Sequence, residues 1–139
     1  SKLAALGWLR NLPRRLLRQP PRIEAATPTA RAAMGYLHAN CGHCHNGSGA
    51  LAGLDLTLAQ QVSNPNGSAT ATVESLLRSA SAEQPSGATP KAIPARAALL
   101  ARRIASSNPY TRMPPLGVTI TDREGVAVIE RWIREDLQR

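Results

Sequence analysis

Two thiols and an imidazole stand together in Cys41-Gly42-His43-Cys44-His45, and the chain has no other cysteine. A disulfide between residues so close would close a very small loop and restrain the unfolded chain little. The spacing suits another chemistry. On one helical turn, Cys-x-x-Cys sets two sulfurs at about the separation of the two vinyl groups of a haem. The residue that follows falls beneath the ring, where His45 offers an imidazole nitrogen to the iron. Each S–H adds across a vinyl C=C to give a thioether. The covalent links retain the cofactor, and ligation fixes its orientation.

Two other uses of the motif are weaker. Thiol–disulfide exchange sites follow a strand in a βαβ unit, whereas this motif follows a helix-forming stretch. Structural zinc takes four ligands. Cys41, Cys44, His45 and either His43 or His38 are too crowded along the chain for a clean tetrahedron, and there is no second Cys pair.

A sixth ligand can come from Met34 or Met113, the only methionines. Met34 precedes the motif on the same side as His45 and would have to cross the ring. Met113 lies far downstream, in a loop able to wrap the opposite face. Pro114 and Pro115 stiffen that loop and lower the entropy lost in holding sulfur against iron. A thioether favours reduced iron, so His45/Met113 ligation raises the potential. His38 is expected to bond backbone or solvent, and His43 to point outward. A haem also brings two propionates, for which Tyr110 and Arg112, with Arg102 and Arg103, are the candidate partners.

The elements that must position these groups read as helices. Thr27-Pro28 supplies a capping hydroxyl followed by proline at the first helical position. Ala33, Met34 and Leu37 then form an apolar stripe up to Asn40. Asn46–Gly49 and Asn64-Pro65-Asn66-Gly67 read as loops. Val73, Leu76, Leu77 and Ala80 follow helical spacing. Residues 81–93 read as a loop, and Pro94 opens a helix through Ala97, Leu100 and Ile104, stopped at Asn108-Pro109. Thr121 and Glu124 read as a capping box for a last helix that buries Val126, Ile129, Trp132 and Ile133. No strand alternation or internal repeat is visible, so the expected class is all-α.

Composition bears on what surrounds the motif. There is no Phe, and aromatics make up 3%, so a large flat cofactor would supply aromatic bulk that Ala, Leu, Val and Ile do not. The net charge of +8 is uneven. Residues 1–23 carry Lys2, Arg10, Arg14, Arg15, Arg18 and Arg22 and no acid; the remainder has 11 bases and 9 acids. The expected organisation is therefore a basic, proline-containing arm over 1–27 and a nearly balanced domain over 28–139. Basic residues are not interleaved with aromatics or set on a recognition element, which argues against nucleic acid. The arm is apolar as well as basic and suits docking on an acidic partner or an anionic membrane. No apolar run is long enough to span a bilayer. No signal peptide is visible and the sequence starts at Ser1, as in a processed form or a piece of something longer.

With these residues in place, the stretch 28–139 resembles a class I (mitochondrial-cytochrome-like) bacterial cytochrome c domain. The resemblance rests on Gly35-Tyr36-Leu37-His38-Ala39-Asn40 leading into the haem motif, on Arg112-Met113-Pro114-Pro115-Leu116-Gly117, and on Trp132-Ile133 in the last helix. It implies about four helices wrapped around one covalent haem c. It also implies single-electron transfer without catalysis, in the periplasm or on the outer face of the cytoplasmic membrane, beside or within a larger redox complex. First and last helices should cross closely, with Gly35 or Tyr36 against Trp132. The family usually has a proline carbonyl accepting from the axial His Nδ1–H. Residues 46–63 contain no proline, so a carbonyl within 47–53 is expected to substitute. The alternative functions are a haem-based ligand-binding or sensor domain, which needs a weak or absent sixth ligand, and a peroxidase, whose c-type forms carry two motifs where this chain has one.

Overall fold

Three helices of the body start at residues that satisfy their own first turn. The structure, a computed structural model, describes residues 2–78 and 94–138, among which there are helices and no strand. The loop expected over 81–93 lies outside the described residues. The arm contains two short helices, α1 (Lys2–Ala5) and α2 (Arg14–Arg18), where a wholly extended segment was expected. Proline forbids a helix only through itself and its immediate predecessor. Single turns therefore fit between Pro13 and Pro20.

Four longer helices follow: α3 (Pro28–Asn40), α4 (Pro65–Leu77), α5 (Ala95–Ala105) and α6 (Arg123–Trp132), the last continued by a π-helical turn over Ile133–Leu137. Thr27 caps α3 as expected: its Oγ1 accepts from the Ala30 amide at 3.0 Å and donates to Asp136 Oδ2 at 2.8 Å, tying the start of α3 to the end of the chain. The Asn64-Pro65-Asn66-Gly67 stretch is not a loop. Asn64 Oδ1 accepts from the Gly67 amide at 3.1 Å, Pro65 takes the first helical position, and α4 begins there. An Asx cap followed by proline is a helix start as well as a turn signal. On α6 the cap is Asp122, whose Oδ1 accepts from the Gly125 amide at 2.9 Å, one residue later than the expected Thr121. Asp is the stronger of two adjacent candidates, and its charge favours the positive helix end.

The core joins Ala30, Ala33, Met34 and Leu37 of α3 to Leu76, Ala97, Leu100 and Ile104, and to Ile129, Trp132, Ile133 and Leu137. Packing is most extensive between α3 and α6; α5 lies against both α4 and α6. The close approach between α3 and α6 is not the expected one. A side chain added at Gly35 would meet only Ile23, at 3.6 Å, whereas the small residue that matters is Gly125, against the ring of Tyr36. The aromatic sits on the first helix and the glycine on the last. Burial, with Asp122 nearby, pushes the Tyr36 hydroxyl up to about 12.

Gly125→Ala is accordingly expected to destabilise by about 1–3 kcal/mol, the cost of overpacking. The added methyl would run into the Tyr36 ring and lie 2.7 Å from Asp122 Oδ2. Helix propensity alone would favour Ala by about 1 kcal/mol, so the sign of the change in urea midpoint tests whether the contact or the propensity wins.

The inner face of α4 is mixed: Leu76 is buried and Val73 packs against the core as the apolar stripe read from the sequence expects, but polar residues share that face. Ser68, Thr72 and Ser75 are buried while Leu77 is exposed. Their partners are on the segment 57–61. The Thr57 amide donates to Ser75 Oγ (3.3 Å), the Gln60 side chain to Thr72 Oγ1 (2.9 Å) and the Gln61 amide to Ser68 Oγ (3.1 Å). Buried amides left unpaired would cost about 1–3 kcal/mol each, so these hydroxyls do for segment 57–61 what a neighbouring strand does in a sheet. Among the described residues no helix is long and apolar enough to cross a membrane.

Candidate functional site

The Cys41–His45 motif is a single helical turn set on the end of α3. The Cys41 carbonyl accepts from the amides of Cys44 (3.1 Å) and His45 (2.8 Å), which is the turn geometry the spacing requires. Cys41 is buried, Cys44 is exposed and both are free thiols. Burial, and then the neighbouring Cys44, push the Cys41 thiol up to about 11. A thiol held protonated is a poor nucleophile, so Cys41 is the less reactive of the pair. Among the described residues, no three His, Cys, Asp or Glu side chains cluster as a metal cage would need.

Three contacts fix the turn. The Leu58 amide donates to the His45 carbonyl at 2.9 Å, and Leu58 is fully buried. Asn46 Nδ2 donates to the carbonyls of Gly42 and His43, each at 3.0 Å, closing the turn's C-terminal end. Gly42 lies where a Cβ would stand 2.8 Å from the His38 carbonyl and 3.0 Å from Ala59 Cα. Gly42 and Asn46 were read from the sequence only as turn and loop residues. A glycine inside the motif and an Asn directly after it were the available signals, but the close approach of Ala59 to Gly42 was not visible. His38 Nδ1 accepts from the Gln60 amide at 3.1 Å, the backbone bond expected of it, and His43 is exposed.

His45 is half-buried. Burial, and then His43, lower its pKa, which favours the neutral imidazole with a free lone pair. Its Nδ1 is buried and makes no hydrogen bond. The substitute carbonyl expected within residues 47–53 is therefore not on Nδ1. That stretch turns away into its own bonds, such as Ala52 N to Gly49 O at 3.0 Å and Leu54 N to Leu51 O at 3.0 Å.

Met113 and Arg112 belong to a second group, on the loop between α5 and α6. Asn108 organises it: its side chain accepts from the Tyr110 amide (2.9 Å) and its carbonyl from the amides of Thr111 (3.1 Å) and Arg112 (2.9 Å). The Met113 amide then donates to the Arg103 carbonyl at 2.9 Å, pinning the loop to the end of α5, and Met113 is half-buried. Arg112 has a buried Nε without a partner. Tyr110 is 94% exposed, Arg102 is exposed and Arg103 half-buried. Met34 is packed in the core at 3% exposure. No hydrogen bond links the motif to the Met113 loop among the described residues.

The Met113 loop also leaves apolar surface uncovered: Leu116 is 82% and Ile120 83% exposed. Isolated exposed apolar residues are common, but here two large ones share a loop with an Arg whose buried Nε has no partner, and the loop therefore suits a partner of mixed character. A flat apolar ring with acidic substituents has that character. The donor set is thus compatible with a haem: two thiols one turn apart, an imidazole next to them, a thioether on a pinned loop and a partnerless Arg.

Comparison with protein-family models, with curated proteins and with solved structures finds no match.

Proposed function

We propose that this chain holds one haem c through Cys41 and Cys44, with His45 and Met113 as axial ligands, and passes single electrons. The observation that carries the proposal is the Cys41–His45 turn, in which both thiols and an imidazole stand on one helical turn clamped by Leu58, Asn46 and Gly42. Bound there, haem iron would supply a one-electron couple. The chain's residues do the rest. Cys41 and Cys44 would anchor the group, His45 would offer it an imidazole, and the stiff Met113-Pro114-Pro115 stretch would offer it a thioether. Arg112 offers charge to a propionate; Tyr110 and Arg102 remain solvent-side candidates. Two ligands held on rigid supports keep geometry constant between oxidation states, which is what electron transfer needs and what binding of an external ligand would not use. On this reading the chain is a carrier or the electron-transfer part of a larger redox complex, outside the cytoplasm, and is not itself a catalyst.

The test is the mass and colour of the native chain. The expected mass is the polypeptide plus one haem, retained after acid and organic extraction, with a c-type reduced spectrum that is lost in the Cys41→Ala/Cys44→Ala variant. A colourless chain of bare polypeptide mass would overturn the proposal.

A further inference from the structure

Apart from the motif, the least explained part of the molecule is the arm. Its large apolar side chains are in water: Leu3 is 45%, Leu6 55%, Trp8 75%, Leu9 42% and Leu17 38% exposed. The core takes partly buried hydrophobic residues only from Ile23 and Ala25 onward; nothing from 2–22 packs against it. The six cations of the arm are equally unsatisfied. The only ion pair among the described residues is Arg78 with Asp55, at 3.1 Å. An open groove of about 730 Å³ separates α2 from the body. It is lined by Arg15, Arg18 and Arg22 on the arm side and by His38, Gln60 and Gln61 on the other, with Glu24 as its one carboxylate. Among the described residues, then, nothing packs over the arm's exposed apolar groups and no carboxylate pairs with its cations.

We propose that residues 2–22 lie in the surface of an anionic phospholipid bilayer and hold the domain against it. The combination of charges and apolar groups favours lipid over an acidic protein. Leu3, Leu6, Trp8 and Leu9 stand on one compact turn at the start of the arm, with Leu17 further along on α2, and a bilayer accepts such groups without a matching pocket or register. Arg and Lys have long apolar stems that let the charge stay at the headgroups while the stem is buried. Trp favours the same interfacial depth. Short helices interrupted by proline can lie along a surface, whereas none can cross it. Two signals, charge and apolar burial, are what stable peripheral attachment requires. The inference does not depend on the haem reading, because neither the arm nor the test below uses the cofactor.

The experiment is sedimentation of the purified full chain with vesicles of phosphatidylcholine alone or with added phosphatidylglycerol, at low and high salt, while tryptophan emission is followed. Trp132 is 1% exposed and Trp8 75%, so a blue shift on mixing reports Trp8. The chain is expected to sediment with the anionic vesicles and not with the neutral ones. Each surface cation contributes about fivefold in affinity, so Arg14→Gln/Arg15→Gln/Arg18→Gln should weaken binding on the order of 100-fold. Leu6→Asn/Trp8→Asn should weaken it at least about tenfold through lost apolar burial. Both variants should keep the wild-type helical circular dichroism. The proposal is overturned by no sedimentation with anionic vesicles, or by sedimentation without a blue shift that survives Leu6→Asn/Trp8→Asn. Binding to polyglutamate as tight as to vesicles would also overturn it, assigning the arm to an acidic protein.

Discussion

On the proposed haem reading, Met113→Ala is expected to leave the haem covalently attached and the helices intact but to remove a ligand from the iron. The oxidised protein should lose the weak far-red band that marks an iron–thioether bond in the resembled family, and should bind carbon monoxide at neutral pH. The reduction potential should fall by on the order of 0.1–0.3 V, part of the ~0.8 V that axial ligands can cover. The cause is the softness of sulfur, which stabilises reduced iron over oxidised iron. Stability should change far less, because Met113 is half-buried and its backbone bond to Arg103 does not need the side chain. A redox titration with the far-red spectrum separates the two roles. An unchanged band and potential would remove Met113 from the iron. Met34 is no ready replacement, since it is packed at 3% exposure among Ala33, Leu37 and the rest of the core.

The Cys41–His45 turn was legible because the spacing itself asks for one helical turn. Cys41, Cys44 and His45 need only one helical turn to take their relation, and a turn is a local property. Thr27-Pro28 was legible for the same reason: cap and proline act within four residues of each other. Asn64-Pro65 used the same local grammar but was followed by Asn66 and Gly67, which read equally as a turn. The difference lies in what the helix then packs against. The inward hydroxyls of Ser68, Thr72 and Ser75 are the clearest such case. Periodicity assigns buried faces to apolar residues, and nothing local says that an extended segment with unpaired amides will lie across α4. Gly42 and Leu58 were missed for the same reason, since Gly42 abuts Ala59 and Leu58 bonds His45, partners distant in sequence. On the α3–α6 crossing, a small residue against an aromatic was expected. The sequence offered Gly35, Tyr36, Gly125 and Trp132, and only tertiary packing selects Gly125 with Tyr36. The His45 Nδ1 partner expected from the loop 47–53 is absent; the carbonyls of Gly49, Leu51 and Ala52 accept instead from the amides of Ala52, Leu54 and Asp55.

Trp132→Ala should be the most destabilising single substitution in the core, by about 3–5 kcal/mol. The chain has no Phe, and of its four aromatic side chains Trp8 and Tyr110 are exposed and Tyr36 is half-buried, so Trp132 is the one aromatic wholly inside the described core. Its neighbours in that cluster include several alanines. Alanine cannot swing into a vacated volume, so most of the cavity should persist, and residual cavity volume is what raises the cost within the large-to-small range. Such a loss is a large part of the ~5–15 kcal/mol that holds an ordinary domain. Urea unfolding should show the midpoint falling with an unchanged slope, and Trp132→Phe should recover most of the difference because a ring refills most of the space. Trp132 is placed here as packing between α6 and the rest of the core. The far-red band and the potential of the folded fraction should therefore stay where they are. That pattern is the inverse of the one expected for Met113→Ala, and a variant of Trp132 that shifted the potential without lowering stability would place this residue at the haem and not in the helix crossing.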